Sequence, residues 1–171
     1  NAHVFVRASD VGLTGTESPA EIDGDKALLA RLELIRGAGA TRMGMASSPE
    51  AARSETPATP ILGIISPPAA YVGHLDGAPV AADDVDLVSR LLFMQITHKT
   101  YAGTSTACTG VAARIEGSIV HQALREAARH RVEIRIGHPA GVIDTESEVT
   151  LAGPGINHGV KRATLGRTAR R

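Results

Sequence analysis

The residues with chemistry to offer gather in one short stretch, Gly103–Gly117, which reads GTSTACTGVAARIEG. It holds the chain's only cysteine, Cys108, among the hydroxyl side chains of Thr104, Ser105, Thr106 and Thr109 and the glycines Gly103 and Gly110. Small side chains admit a second backbone or a ligand at close range. The segment runs on into Val111, Ala112, Ala113 and Ile115, which predicts a helix opening near Thr104. Such a helix points unbonded N–H groups and the positive end of its dipole at whatever lies before it, and so suits an anion. A thiol beside that end is expected to have its pKa lowered. Two roles stand open for Cys108. It is an inert small residue of the core, or it is a thiol that exchanges a proton with a carbon acid or attacks a carbonyl.

A second group lies in the turn GHPAG, residues 137–141. His138 there is either a turn residue beside a structural proline or part of a carboxylate cradle. In the cradle, backbone N–H groups around Pro139, Ala140 and Gly141 would do the holding. Ahead of the cysteine segment, alternation puts His98 and Thr100 on one strand face and Lys99 on the other. These read as surface groups with an anion within reach.

Other chemistries lack their signatures. The seven histidines are scattered, with no His-x-x-x-His pair and no cysteine cluster, so no metal site is expected. There is no phosphate-binding loop, dinucleotide fingerprint or G-x-S-x-G elbow. Eighteen basic and 18 acidic side chains cancel, and no basic stripe or aromatic platform argues for nucleic acid. No apolar run reaches membrane-spanning length. One cysteine rules out an internal disulfide and points to a reducing, cytoplasmic compartment.

The elements that must position these groups follow from periodicity. At 171 residues, 43% hydrophobic and 21% charged, the chain is long enough for one folded domain. Aromatics are only 2%, so Leu, Ile, Val and Ala must build the core. The chain opens on Asn1 rather than Met, as a piece of a longer protein or a chain carrying an added Asn1-Ala2 pair would. Alternation predicts strands over 3–8, 97–102, 132–136, 142–151 and 160–168. Ile61–Ser66 reads as a buried strand stopped by Pro67 and Pro68. Leu28, Leu29, Leu32 and Ile35 make one stripe of a helix over 25–36, capped by Asp23 or Asp25 and continuing toward Met45. Val85, Val88, Leu91 and Leu92 predict a second amphipathic helix over 83–94. A third is expected over 119–130. Residues 9–22, 47–60, 71–80 and 153–159 read as loops or turns. Helices among antiparallel hairpins, without regular βα alternation, indicate an α+β fold.

Longer strings carry a resemblance. VFVRASDVGLTGTESPAEID, the run DDVDLVSRLLFMQITHKTYAGTSTACTGVAARIEGS, the turn GHPAG and the ending GRTARR resemble the PrpF family. That family includes methylaconitate cis-trans isomerases, methylitaconate Δ-isomerases and 4-oxalomesaconate tautomerases. The resemblance runs over almost the whole chain and implies the diaminopimelate epimerase-like fold. There, two similar lobes each wrap a curved mixed sheet around a central helix, with the active site in the cleft between them. Residues 1–171 resemble the second, C-terminal lobe as a single domain, with its central helix at about 104–115.

The same resemblance implies roles for residues. Thr104, Ser105, Thr106, Thr109 and Gly110 open the central helix toward substrate. His138, Pro139, Ala140 and Gly141 match a His-Pro-Ser-Gly turn that helps bind a substrate carboxylate, with Ala140 in place of the serine. Ala2 stands where the family has the proline of a Gly-Asn-Pro segment. Cys108 matches a position near the second catalytic cysteine of diaminopimelate epimerases. In the PrpF group the acid/base work is assigned to a lysine and a cysteine of the first lobe, and neither is in this sequence. The implied activity is movement of a double bond in an unsaturated di- or tricarboxylic acid by proton transfer, with no cofactor and no metal. The implied partners are a small carboxylic acid and a first lobe or second chain, with a homodimer as the expected assembly. This piece alone is expected to be inactive. The rival reading is a non-catalytic accessory or interaction module that keeps the fold.

Overall fold

Two strands at the middle of the molecule are buried at almost every position, and their composition explains the architecture. Ile61–Ser66 (β2) is buried throughout, and Leu87–Phe93 (β5) is buried except at Phe93. A strand covered on both faces has no polar face to alternate with. In the computed structural model, which describes residues 2–150 and 159–165, helices cover both faces of the sheet they form.

The first strand, His3–Arg7 (β1), pairs parallel to β2, and β2 pairs antiparallel to β5. Before β2 come the helices Pro19–Gly24 (α1), Lys26–Arg42 (α2) and Ala52–Glu55 (α3). A small hairpin, Tyr71–Val72 (β3) with Pro79–Val80 (β4), precedes β5. Ile96–Thr97 (β6) folds back on β5. Then follow Gly103–Ala113 (α4) and Ile119–Ala123 (α5). Glu133–His138 (β7) pairs parallel to β5, and Gly141–Thr150 (β8) and Gly159–Leu165 (β9) complete the sheet antiparallel. The sheet order is β1-β2-β5-β7-β8-β9, with β6 on β5.

The sheet curls around α4. Ile61, Ile65, Leu87, Leu91, Ile134 and Ile136 face α4 and α5, packing on Ala112, Ala113 and Val120. The alternate residues Leu62, Ile64 and Leu92 face outward onto Ile22, Leu28 and Leu32 of α1 and α2. This is the expected α+β curved mixed sheet around a central helix.

Several local expectations change. Residues 83–94 are not a helix: a short 3-10 turn over Ala82–Asp84 leads into β5. The apolar run satisfies a helical period only because both faces of the strand are buried, and burial on two sides erases the two-residue alternation. Residues 97–102 are not a full strand, since pairing ends at Thr97 and the Thr100 N–H closes a turn on His98 Nδ1 at 3.1 Å. The third helix stops at Ala123, because Leu124 is extended and the Arg125 N–H goes to the Asp86 carbonyl at 2.9 Å. Within the expected loop 9–22, Ser18 and Glu21 form a reciprocal capping box around Pro19 and start α1. Asp25, not Asp23, caps α2. Residues 153–158 and 166–168 of the expected last turn and strand lie outside the described residues.

Candidate functional site

The start of α4 is the site's geometric centre. Its N-cap residue, Ala102, is extended and offers no side-chain acceptor. Thr106 returns both its N–H and its hydroxyl to the Ala102 carbonyl, at 2.9 and 3.1 Å. The first-turn N–H groups therefore have no capping side chain from Ala102, and the positive helix end is kept.

Two clusters flank this end. On one side β1 brings His3 to Ser105, with Nε2 2.8 Å from Oγ. His3 stacks on Phe5, and both face α4. On the other side the Tyr101 hydroxyl donates to Ser89 Oγ at 2.8 Å and lies 2.9 Å from Thr109 Oγ1. Tyr101 is buried, and burial pushes its pKa up to about 12, so it stays a neutral hydrogen-bonding group. The His138 ring centre lies 5.9 Å from that of Tyr101.

His138 ends β7, and Pro139-Ala140 forms the two-residue turn into β8. Gly141, at φ +127°, adopts a backbone conformation that other residues rarely take. His138 is 8% exposed. Burial, with Arg90 and His98 nearby, pulls its pKa down to about 4. The neutral ring fits its bond, because Nδ1 accepts the Ala140 N–H at 3.2 Å. That N–H was one of the donors expected to hold a carboxylate, and here the histidine already occupies it. The Pro139 carbonyl accepts the His74 N–H at 2.6 Å, and the Gly141 carbonyl accepts the Tyr71 hydroxyl.

The expected site residues of α4 divide by helix face. Thr104 is exposed at the first turn and Ser105 is held by His3. Thr106, Thr109 and Gly110 are buried in intramolecular packing. Gly110 lies against β8, where Ser147 Oγ donates to its carbonyl at 2.6 Å. Its glycine therefore serves the close approach of β8. Cys108 is partly buried at the sixth position of α4, beyond the first-turn N–H groups. Burial raises its thiol pKa, the reverse of the lowered value expected at a helix start.

Sequence reasoning passed over three groups. None carries a local motif: strand pairing and turns bring His3 and Tyr101 to α4, while Arg90, beside Leu91 on β5, faces the other side of the sheet. Arg90 is 1% exposed. Its Nε donates to the Glu17 carbonyl at 2.7 Å, Nη1 donates to the Ser89 carbonyl at 3.1 Å, and the guanidinium stands 5.0 Å over the Tyr71 ring. Among the described residues no carboxylate bonds to it. A buried cation neutralised only by dipoles and a ring face favours a nearby anion.

Arginine also crowds a second place. The buried Asp86 carboxylate accepts from Arg131 at 2.7 Å and Arg135 at 3.1 Å, and this network ties the segment after α5 to the start of β5. Among the described residues no group of three or more His, Cys, Asp or Glu side chains could hold a metal ion. No helix among them is long and apolar enough to cross a membrane.

The geometry has relatives. A family model described as PrpF protein matches residues 1–171. The chain is 49% identical over its full length to a 3-methylitaconate isomerase of Eubacterium barkeri, covering 43% of that protein. It is 39% identical over 140 residues, 82% of the chain, to a 2-methyl-aconitate isomerase of Shewanella oneidensis, covering 34% of that protein. The crystal structure of a methylitaconate-delta-isomerase superposes on 96% of the chain and 42% of its own length, with TM-score 0.82 and 45% identity. The chain thus spans less than half the length of the relatives it matches.

Proposed function

The chain belongs to the PrpF family, and from that premise we propose that it is the substrate-binding C-terminal lobe of an isomerase acting on unsaturated di- or tricarboxylic acids. The observation that carries this reading is the start of α4. A helix start whose N-cap residue, Ala102, has no side-chain acceptor is flanked by His3–Ser105 and His138–Tyr101, and the Arg90 cation, which no described carboxylate bonds, lies on the other face of β5 near His138. The positive helix end and the Arg90 charge favour an anion. The reaction moves a double bond: a base removes a proton made acidic by neighbouring carboxylates, and an acid returns a proton at the far end of the allylic unit. Binding the carboxylates and the developing enolate is the share this lobe supplies.

The acid and base belong to a first lobe in this reading. Cys108 supports that division, since its thiol is held neutral by burial and a neutral thiol is a weak base. No cofactor enters the proposed steps. A homodimer is the assembly proposed, because lobes that cover each other within one protein can do so between chains.

The same thiol favours a second reading, an accessory module that keeps the fold without catalysis. Proton exchange in D₂O on trans-aconitate, 3-methylitaconate and 2-methyl-cis-aconitate separates the two. The chain would be assayed alone and after adding a first lobe taken from a relative. Exchange only on mixing is expected. Exchange by the chain alone would overturn the half-site reading and return the acid/base role to Cys108. Silence in both arms from folded protein would favour the accessory module.

A further inference from the structure

The hairpin of β3 and β4 stands outside the main sheet, yet it is tied to the turn that ends β7. The Tyr71 hydroxyl donates to the Gly141 carbonyl and receives the His138 N–H. His138 and Gly141 are the pair that closes the β7–β8 ladder, so one hydroxyl bridges both ends of the turn. The His74 N–H adds a second tie, to the Pro139 carbonyl at 2.6 Å. We propose that Tyr71 is a positioning residue of the substrate site: its hydroxyl sets the turn that keeps His138 in the tautomer with its proton on Nε2, the donor left for a substrate carboxylate. The proposal rests on the reading of this turn as part of a carboxylate site.

Tyr71 acts from behind the site. It packs with Val80, Val85 and Val88 in a small core of its own. Successive residues of β7 face opposite sides: Ile136 packs toward α4 and Gly137 meets Tyr71. His138 turns back to the α4 side, beside Tyr101. A Cβ at Gly137 would lie 3.0 Å from the Tyr71 hydroxyl oxygen and 3.1 Å from its Cε1, so the glycine is what admits the ring. The Arg90 guanidinium stacks on that ring. Burial raises the Tyr71 pKa, and the hydroxyl keeps the proton it gives to Gly141.

The effect on the imidazole passes through Ala140. Pro139-Ala140 spans the bridged turn, and the Ala140 N–H goes to His138 Nδ1 at 3.2 Å. A neutral imidazole that accepts at Nδ1 carries its hydrogen on Nε2. Arg90 on β5 and His98 after β6 disfavour a second proton on the ring. The Nε2–H finds no acceptor among the described residues and so remains for a ligand. Without the Tyr71 hydroxyl, the His138 N–H and the Gly141 carbonyl must meet directly, the turn tightens, and the Ala140 bond to Nδ1 is lost.

The test uses the full chain. Long-range ¹H–¹⁵N correlation reads the His138 tautomer, and titration with trans-aconitate reads affinity. The parent is expected to show a single tautomer, protonated on Nε2, and a nuclear Overhauser contact between the Tyr71 hydroxyl and the His138 amide. Tyr71→Phe keeps the ring and removes only the bridge. It should give a mixture of tautomers and bind trans-aconitate about tenfold more weakly. Leu32→Ala loosens the core beneath α2 and should leave the tautomer unchanged, which separates positioning from a general loss of stability. A parent ring protonated on Nδ1, or no Tyr71–His138 contact, would overturn the proposal without any variant. So would an unchanged tautomer or unchanged affinity in Tyr71→Phe, or an equal tautomer shift in Leu32→Ala. A parent that does not bind trans-aconitate would overturn the isomerase-lobe reading instead, and the tautomer would still decide the role of Tyr71.

Discussion

Gly110→Ala separates a packing role from a ligand-facing one at the centre of α4. Helix propensity alone makes alanine better by about 1 kcal/mol. The surroundings work against it. A Cβ at Gly110 would lie 2.9 Å from Thr145 Oγ1, 3.0 Å from Thr145 Cγ2 and 3.3 Å from Ser147 Oγ. Neither β8 side chain can swing aside freely. Thr145 Oγ1 donates to the Thr164 carbonyl at 2.6 Å, and Ser147 Oγ donates to the carbonyl of Gly110 itself at 2.6 Å. Forcing a methyl into such a contact costs about 2 kcal/mol, and losing one of the two bonds costs about 1 kcal/mol more. Against the propensity gain, the net expectation is about 2 kcal/mol of destabilisation. Urea denaturation followed by circular dichroism reads this as a lower midpoint at unchanged slope. Thr145→Ala removes both of the nearest contacts, so the double substitution should recover about 1 kcal/mol relative to the sum of the singles. A Gly110→Ala chain as stable as the parent, or strict additivity with Thr145→Ala, would refute the packing assignment.

Three further outcomes are expected. His138 is held near pKa 4 in the folded chain, below its usual 6.5, so the unfolded chain binds the extra proton between those values. The stability tied to neutral His138 is present above about pH 6.5 and is lost as pH falls toward 4, up to about 3 kcal/mol. His138→Gln should flatten that limb of the urea-midpoint profile, and an identical slope in the variant would contradict it. Arg36 is 2% exposed and binds both oxygens of Glu33, at 2.9 and 2.6 Å, besides the Ala52, Thr56 and Thr59 carbonyls. Arg36→Met should therefore cost about 3–5 kcal/mol by stranding Glu33, and a loss below 1 kcal/mol in the same denaturation assay would show that the pair is dispensable. Cys108, raised above its usual 9 by burial, should react with iodoacetamide at pH 7 more slowly than a free small thiol; a faster rate would indicate a thiolate and revive a catalytic role.

What the sequence discloses and what it hides divide along local and tertiary physics. α4 is legible because glycine, hydroxyl and alanine residues cluster where a helix must thread a closing sheet, whereas α1, opened by the capping box of Ser18 and Glu21, lies hidden in a stretch whose glycines and Pro19 read as loop. β5 is illegible as a strand because Leu87, Val88, Leu91 and Leu92 serve two cores at once, leaving no alternation to count. The small residues of α4 are misleading in a subtler way. They invite a ligand, yet Gly110 and Thr109 are small and polar to admit β8 and Tyr101. The proposed anion preference rests on residues without a motif: His3, four strands away in the sheet order from the β8 wall of α4, and, from the other face of the sheet, Arg90, whose burial depends on the loop carrying Glu17. A positive site built in this way needs no basic run, and so a chain of zero formal charge can still hold an anion. The proposed site meets this with a helix start whose N-cap residue, Ala102, has no side-chain acceptor, and with His138, held neutral by burial and by the Arg90 charge nearby.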